Sequence, residues 1–308
     1  MKGTAKTAFM LLVHNHPEQL NKFLMQLVEE EAADVFIHID AKSDASMRER
    51  IIRHPHITIL EERVAVSWGD ISQVDATLLL LEAVCNSDVH YDFVCLRSGQ
   101  DLLVRNGFKQ FLAEHRNSLF LAYRTLQEKD FGMVKILWPK IVRNRYANYH
   151  PLRLLRRLLL LLYKRGVHIL PNRRYFPEHF TLYKGSQWFT IPFEAAVFII
   201  DFLNKNRWYY PFFEHSLVPD ESFFHTLLLN STYKEKVINT NLYFLKWGES
   251  LKERNSPQCL HIGDRALIEN SNMFFARKFN EQFDKEVVEY FKARVKLDRA
   301  NELVAHKY

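Results

Sequence analysis

Pro219, Asp220 and Glu221 stand side by side at the head of an apolar run that continues through Phe223, Phe224, Leu227 and Leu228. Proline suits the first turn of a helix, and acids there complement the N-terminal dipole. The four apolar residues recur at i, i+1, i+4 and i+5, a stripe that buries one helix face. Two carboxylates would then be fixed at the mouth of a helix anchored in core. A carboxylate with a function would sit in such a place. Simple capping of the helix by two acids accounts for the same residues.

Arg277 and Lys278 form a second candidate, set between Phe274, Phe275 and Phe279. Cations fixed against a core can stabilise charge that builds on a departing phosphate. A solvated basic pair beside an apolar stripe is the plainer reading. His14, His16 and His38 lack the i, i+4 spacing of helical metal ligands and read as strand-end histidines. Ser98 has no nucleophile-elbow pattern around it. No two aspartates lie two positions apart, which excludes the usual Asp-x-Asp pair that holds Mg2+ or Mn2+ for a nucleotide-sugar enzyme. Any nucleotide diphosphate leaving here would be neutralised by side-chain cations.

These residues must be positioned by an α/β framework. Thr7 to Val13 reads as a strand buried on both faces, Glu18 to Glu31 has helical spacing, and Val35 to Ile39 is a second buried strand. A crossover of this length implies a parallel pair, with ligands at the C-terminal strand ends, where His14, His16 and Asp40 fall. Ile57 to Leu60 and Val64 to Gly69 read as extended, Ser72 to Cys85 as a helix, and Tyr91 to Leu96 as a strand running into Ser98-Gly99-Gln100-Asp101. A helix over Phe108 to His115 and a strand over Leu119 to Ala122 follow. Residues 123–180 are basic, with tyrosines interleaved. Within them Leu152 to Arg165 reads as an amphipathic helix whose leucines at 154, 155, 158, 161 and 162 share one face. That face either packs in the core or lies on an anionic membrane. Order resumes at Gly185 to Thr190, then a helix over Phe193 to Asn204, a strand near Leu242 to Leu245 and a helical tail.

Composition narrows the classes. The 308 residues give room for one large or two modest domains, and 47% hydrophobic residues supply a substantial core. Only nine glycines argue against a glycine-rich nucleotide fold. A net charge of +6 favours an anionic partner. Cys85, Cys95 and Cys259 are too few and too scattered for a disulfide framework or a zinc pattern, which favours a reducing compartment. No stretch reaches the roughly 20 apolar residues that span a bilayer.

Several stretches together resemble glycosyltransferase family 14, which holds the core-2/I-branching β-1,6-N-acetylglucosaminyltransferases, the peptide O-xylosyltransferases and their bacterial relatives. They are Leu11–Val13 with His14, His38-Ile39-Asp40, Ser67-Trp68-Gly69, Ser98 to Asp101, Gly185 to Phe189, Pro219 to Leu228 and Phe274 to Phe279. They keep the family's order across nearly the whole chain, and the last looks most like the xylosyltransferase branch. The resemblance implies a GT-A-type fold, an α/β architecture with a Rossmann-like mixed sheet flanked by helices. It is expected as one domain, with a nucleotide-binding half over 1–122 and an acceptor and catalytic half over 123–308.

The resemblance further implies an inverting transfer from a UDP-sugar that requires no divalent metal and no other cofactor. Glu221 matches the family's catalytic base, Asp40 its uridine-side acid and Lys278 its diphosphate lysine. The partner arginine falls on Asn255 by direct count, with Arg254 one position away. His14, Trp68, Asp101 and Arg277 join the donor side; Trp188, Asp220 and Trp247 form the acceptor side. A tyrosine expected two residues after Trp247 is Glu249, which points to a different acceptor. N-acetylglucosamine is the expected sugar, with xylose as the alternative. The family's animal members carry an N-terminal anchor and stalk. The sequence shows neither, so the expectation is a bacterial, cytoplasmic enzyme, peripheral on the inner face of the plasma membrane. It would act on a glycan or lipid-linked glycan in surface polysaccharide synthesis. No nucleic-acid partner is expected, the competing class being a non-catalytic basic domain that binds membrane or nucleic acid through residues 141–174.

Overall fold

The computed structural model describes residues 4–29, 32–248 and 256–297. Its centre is β1 (Thr7–Val13), an unbroken apolar run after Thr7 with six of its seven residues buried. Alternate side chains serve two cores, Phe9, Leu11 and Val13 on one face and Ala8 and Met10 on the other, as the period of a strand requires. α1 (Pro17–Val28) opens on Pro17 and returns the chain to β2 (Asp34–Ile39), parallel to β1 with Ile39 opposite Val13. β3 (Ile57–Ile59) extends this edge.

The stretch 64–69, expected to be extended, forms no strand. Its amides bond instead to side chains at the end of β2: Val64 N–H donates to His38 Nε2 at 2.9 Å and Val66 N–H to Asp40 Oδ1 at 3.2 Å. It is a loop pinned beside the strand end.

α2 (Ser72–Cys85) covers one face, and β4 (Phe93–Ser98) pairs with β1 on the side away from β2. β5 (Leu102–Leu103), α3 (Phe108–Glu114) and β6 (Leu119–Thr125) follow. The basic region then folds as α4 (Gly132–Lys135), α5 (Lys140–Arg143) and α6 (Pro151–Lys164). The chain re-enters the sheet at β7 (Tyr183–Pro192), antiparallel to both β4 and β6. α7 (Phe193–Lys205), α8 (Tyr209–Glu214) and α9 (Phe223–Leu229) lead to β8 (Val237–Ile238), β9 (Tyr243–Leu245), α10 (Arg265–Asn270), β10 (Phe275–Arg277) and α11 (Lys285–Arg294).

The main sheet runs β3-β2-β1-β4-β7-β6-β8, parallel through β4 and mixed beyond it, with a small sheet β5-β10-β9 alongside. One core gathers α1, α3 and α11; the other gathers α2, α7 and α9. This is the helix-flanked mixed sheet expected from the sequence.

α6 departs from the core reading of its leucines. Leu154, Leu155, Leu158 and Leu161 are 40–50% exposed, and Leu159 alone is buried. The reason is the size of what lies beneath: Ile136, Trp138, Val142 and Leu217 make a small cluster. The opposite face of the helix, with Leu159, Leu160, Leu152 and Tyr163, suffices to cover it.

Candidate active site

A cleft of roughly 560 Å³ opens at the C-terminal ends of β1, β2 and β4, the ligand position expected of such a sheet. Pro219–Glu221 reaches it as a tight 3-10 turn, not as the first turn of α9. Val218 before it is left-handed (φ 46°), and Ser222 after it leaves helical geometry (φ −129°). Glu221 N–H bonds to Val218 O at 3.1 Å and Ser222 N–H to Pro219 O at 2.9 Å. The turn directs both carboxyl groups into the cleft, while α9 behind it is buried along its whole length.

The two adjacent acids occupy different surroundings. Asp220 is buried, and its Oδ1 has no hydrogen-bond partner among the described residues. Burial, reinforced by the neighbouring Glu221, raises its pKa far above the carboxylate range. Glu221 is half-buried, and Lys184 Nζ of β7 lies 2.8 Å from its Oε2. Its second oxygen has no hydrogen bond among the described residues.

A bulge in β7 helps build this wall. Between the pairs Leu121↔Phe189 and Tyr123↔Gly185, β7 spends four residues where β6 spends two, which brings Ser186, Gln187 and Trp188 to the cleft. Gly185 is obligatory there, because a Cβ would sit 1.8 Å from Ala122 O and 2.6 Å from His225 Nε2. His225 lies fully buried beneath, and burial lowers its pKa to about 4, so the ring is neutral.

Cations enter from two further places. Arg277, at the end of β10, lies 4.7 Å above the Trp188 ring, with its Nε 3.5 Å from Asp101 Oδ1. Asp101 is wholly buried and does not line the cleft. It accepts hydrogen bonds from the Tyr243 hydroxyl and Ser98 N–H and so serves as a footing under Arg277. Lys278 lines the cleft, and its ammonium has no carboxylate partner among the described residues; burial and then Arg277 lower its pKa. Phe274, Phe275 and Phe279 are buried and hold this pair in place. Arg145, from the loop after α5, sits 5.4 Å from the ring of Trp68 at the rim.

The remaining predicted residues divide. His14, Asp40, Trp68, Trp188 and Trp247 all line the cleft. Asp40 Oδ1 accepts from the amides of Lys42 and Val66, leaving Oδ2 without a hydrogen bond among the described residues. Burial lowers the His14 pKa against the pull of Asp40, with the nearby cations lowering it further. His16 stands outside the cleft as the left-handed residue before α1. Among the described residues no three His, Cys, Asp or Glu side chains converge as metal ligands. Arg254 and Glu249 lie outside the described residues. Sequence reasoning missed Lys184 and Arg145. Lys184 directly precedes the Gly185 stretch, where a cation facing the acid pair was a readable signal. Arg145 was lost inside a long basic block.

A sequence model of the Core-2/I-Branching enzyme family matches residues 7–271. The chain belongs to that family, glycosyltransferase family 14. The family match takes in the bulged β7, the acid-bearing turn and the loops at the strand ends, and the fold is of the GT-A type. Among curated proteins, a xylosyltransferase of Ciona intestinalis is 25% identical over 92% of this chain and 33% of its own length. Xylosyltransferase 2 of Rattus norvegicus is 26% identical over 92% and 33%. Xylosyltransferase 1 of Homo sapiens is 24% identical over 92% and 30%. The chain thus spans about a third of the length of these family 14 relatives.

Proposed function

We propose that this cleft transfers a sugar from a UDP-sugar to a hydroxyl of a glycan acceptor, with inversion and without a divalent metal. The observation that carries the reading is the presence in one cleft of a half-buried Glu221, one oxygen without a hydrogen bond among the described residues, and a fixed cation pair, Arg277 and Lys278. Glu221 takes the acceptor hydroxyl's proton as that oxygen bonds to the anomeric carbon. The bond from the anomeric carbon to the phosphate oxygen breaks, and its electron pair leaves on UDP. Lys278, with Arg277 behind it, stabilises the accumulating charge in the role a metal fills elsewhere. The exposed face of Trp247 suits an acceptor ring, and Asp40 Oδ2 is available to the uridine side.

N-acetylglucosamine was the first donor expected from the sequence. The relatives' names favour UDP-xylose, so UDP-xylose is the first donor to test and UDP-N-acetylglucosamine the second. A bacterial cytoplasmic setting and a surface-glycan acceptor complete the proposal.

A thermal-shift and turnover screen of UDP-sugars in EDTA tests it. Glu221→Gln is expected to keep UDP-sugar binding while turnover falls by about 10²-fold or more, the scale of a lost general base. Lys278→Ala is expected to weaken UDP far more than uridine. Near-normal turnover of Glu221→Gln, or loss of activity in EDTA that Mn2+ restores, overturns the proposal.

A further inference from the structure

We infer that α6 and the loop after it form a docking surface for an anionic lipid bilayer. Three observations converge. The first is an apolar face that no described residue covers. Leu154, Leu155, Leu158 and Leu161 expose 47%, 40%, 50% and 44% of their surface, and the chain continues into Val167, Ile169 and Leu170 at 49%, 41% and 48%. Ten of the seventeen exposed large hydrophobic residues among the described residues fall within 141–175.

The second is charge. Residues 131–177 hold eleven Lys and Arg and no Asp or Glu, while the whole chain is only +6, so everything outside this segment is net acidic. Arg157, Lys164 and Arg165 are exposed beside the leucine face, with no carboxylate partner among the described residues. A helix with leucines on one side and cations flanking them lies in the plane of a membrane interface, its apolar face in the acyl boundary and its cations at the headgroups. A polynucleotide would use the cations and leave the leucines in water. A second copy of this chain would set Arg157, Lys164 and Arg165 against the same three cations. An anionic bilayer satisfies both features at once.

The third is position. The loop between α5 and α6 joins this surface to the cleft. Arg153 donates to Tyr146 O at 2.9 Å and Arg156 to Asn144 O at 3.5 Å, and Arg145 between those carbonyls reaches the Trp68 ring at the cleft rim. A protein resting on α6 holds that rim close to the bilayer. If the glycosyl-transfer reading holds, the acceptor class is a hydroxyl on a lipid-linked glycan. The docking itself does not rest on that reading.

Flotation of the full chain tests it, with vesicles of phosphatidylcholine alone or mixed with phosphatidylglycerol. Co-flotation with the anionic vesicles at low salt, lost at high salt and absent with phosphatidylcholine alone, is the expected result. Arg157, Lys164 and Arg165 changed together to Gln are expected to reduce partitioning on the order of 100-fold, from the contribution of each basic residue at an anionic surface. Leu154, Leu158 and Leu161 changed together to Gln are expected to abolish it. Both variants should keep wild-type circular dichroism and turnover on a soluble acceptor. Failure of the wild-type protein to float at low salt overturns the inference, as does wild-type flotation by both variants. Stronger binding to a polynucleotide than to vesicles also overturns it, and so does a concentration-dependent dimer that the leucine variant dissolves while no vesicle binding is seen.

Discussion

α6 and α9 both carry leucines at helical spacing, yet the protein treats them oppositely. α9 buries all seven of its residues and contains no charged side chain; α6 buries Leu159 alone and carries Arg153, Arg156, Arg157 and Lys164 around its circumference. Periodicity therefore identifies a helix without saying which face is covered. What decides is the apolar surface available opposite. α9 meets Tyr209, Phe213, Phe189 and the inner face of β7, whereas α6 meets a cluster of a few side chains. The buried helix fixes the acid-bearing turn, and the exposed one is left free to meet something else.

The largest expected effect breaks the packing side of that contrast. Phe223 sits against Tyr209, Phe213 and Phe224 at centroid distances of 5.0–5.5 Å, and the Tyr209 hydroxyl donates to Phe223 O at 2.6 Å. Phe223→Ala should cost about 3–5 kcal/mol in urea unfolding, the range for a buried aromatic. Leu158→Ala on α6 should cost no more than ~0.5 kcal/mol, because the side chain is already half in water. Equal costs would mean that something covers α6 in solution.

A second, smaller effect separates the cations of the two regions. Lys184 is held against Glu221, whereas the exposed cations of α6 face solvent. Lys184→Met should lower kcat about tenfold, the kinetic equivalent of ~1.4 kcal/mol, with UDP-sugar affinity unchanged. Lys184→Arg should restore most of the loss. Arg157→Gln should leave kcat on a soluble acceptor untouched. A fall in affinity with kcat unchanged would place Lys184 in donor binding instead.

The same contrast explains what was legible in the sequence. The unbroken apolar run of β1, the crossover to β2 and the stripe of α9 dictated burial, and with it the strand ends where His14 and Asp40 line the cleft. β9 was legible as a strand, but the two-residue β5 and three-residue β10 are too brief to carry a period, so the small sheet under Arg277 was not visible as a sheet. The break at Ser222 was also hidden, since nothing in Pro-Asp-Glu-Ser distinguishes a 3-10 turn from a first α-turn. Asp101 shows the limit for single residues: its type suits ligand binding, but its complete burial under Arg277 comes from the meeting of β4, β9 and β10. The face of α6 was undecidable without knowing how little lay beneath it.

The smallest effect sharpens the contrast through pH. α6 keeps Arg157 and Lys164 in water, whereas the turn before α9 buries the carboxyl of Asp220 with no hydrogen-bond partner for Oδ1 among the described residues. Burial, then Glu221, raises the Asp220 pKa above its unfolded value of 3.8, so the folded protein holds a proton that the unfolded chain releases. The stability this proton contributes is complete below about pH 4. It declines as pH rises above the unfolded value and is gone once the folded group itself ionises on the alkaline side. Asp220→Asn keeps a neutral side chain at every pH and escapes that loss. The variant's Tm relative to wild type should therefore climb between pH 5 and pH 9, by roughly 2–4 °C for each ~1 kcal/mol of stability that the wild type loses. Arg157→Gln on α6 should show no such trend. A Tm difference for Asp220→Asn that stays flat across this window, or shrinks with rising pH, would show that Asp220 is ionised in the folded protein and that Lys184 serves both acids.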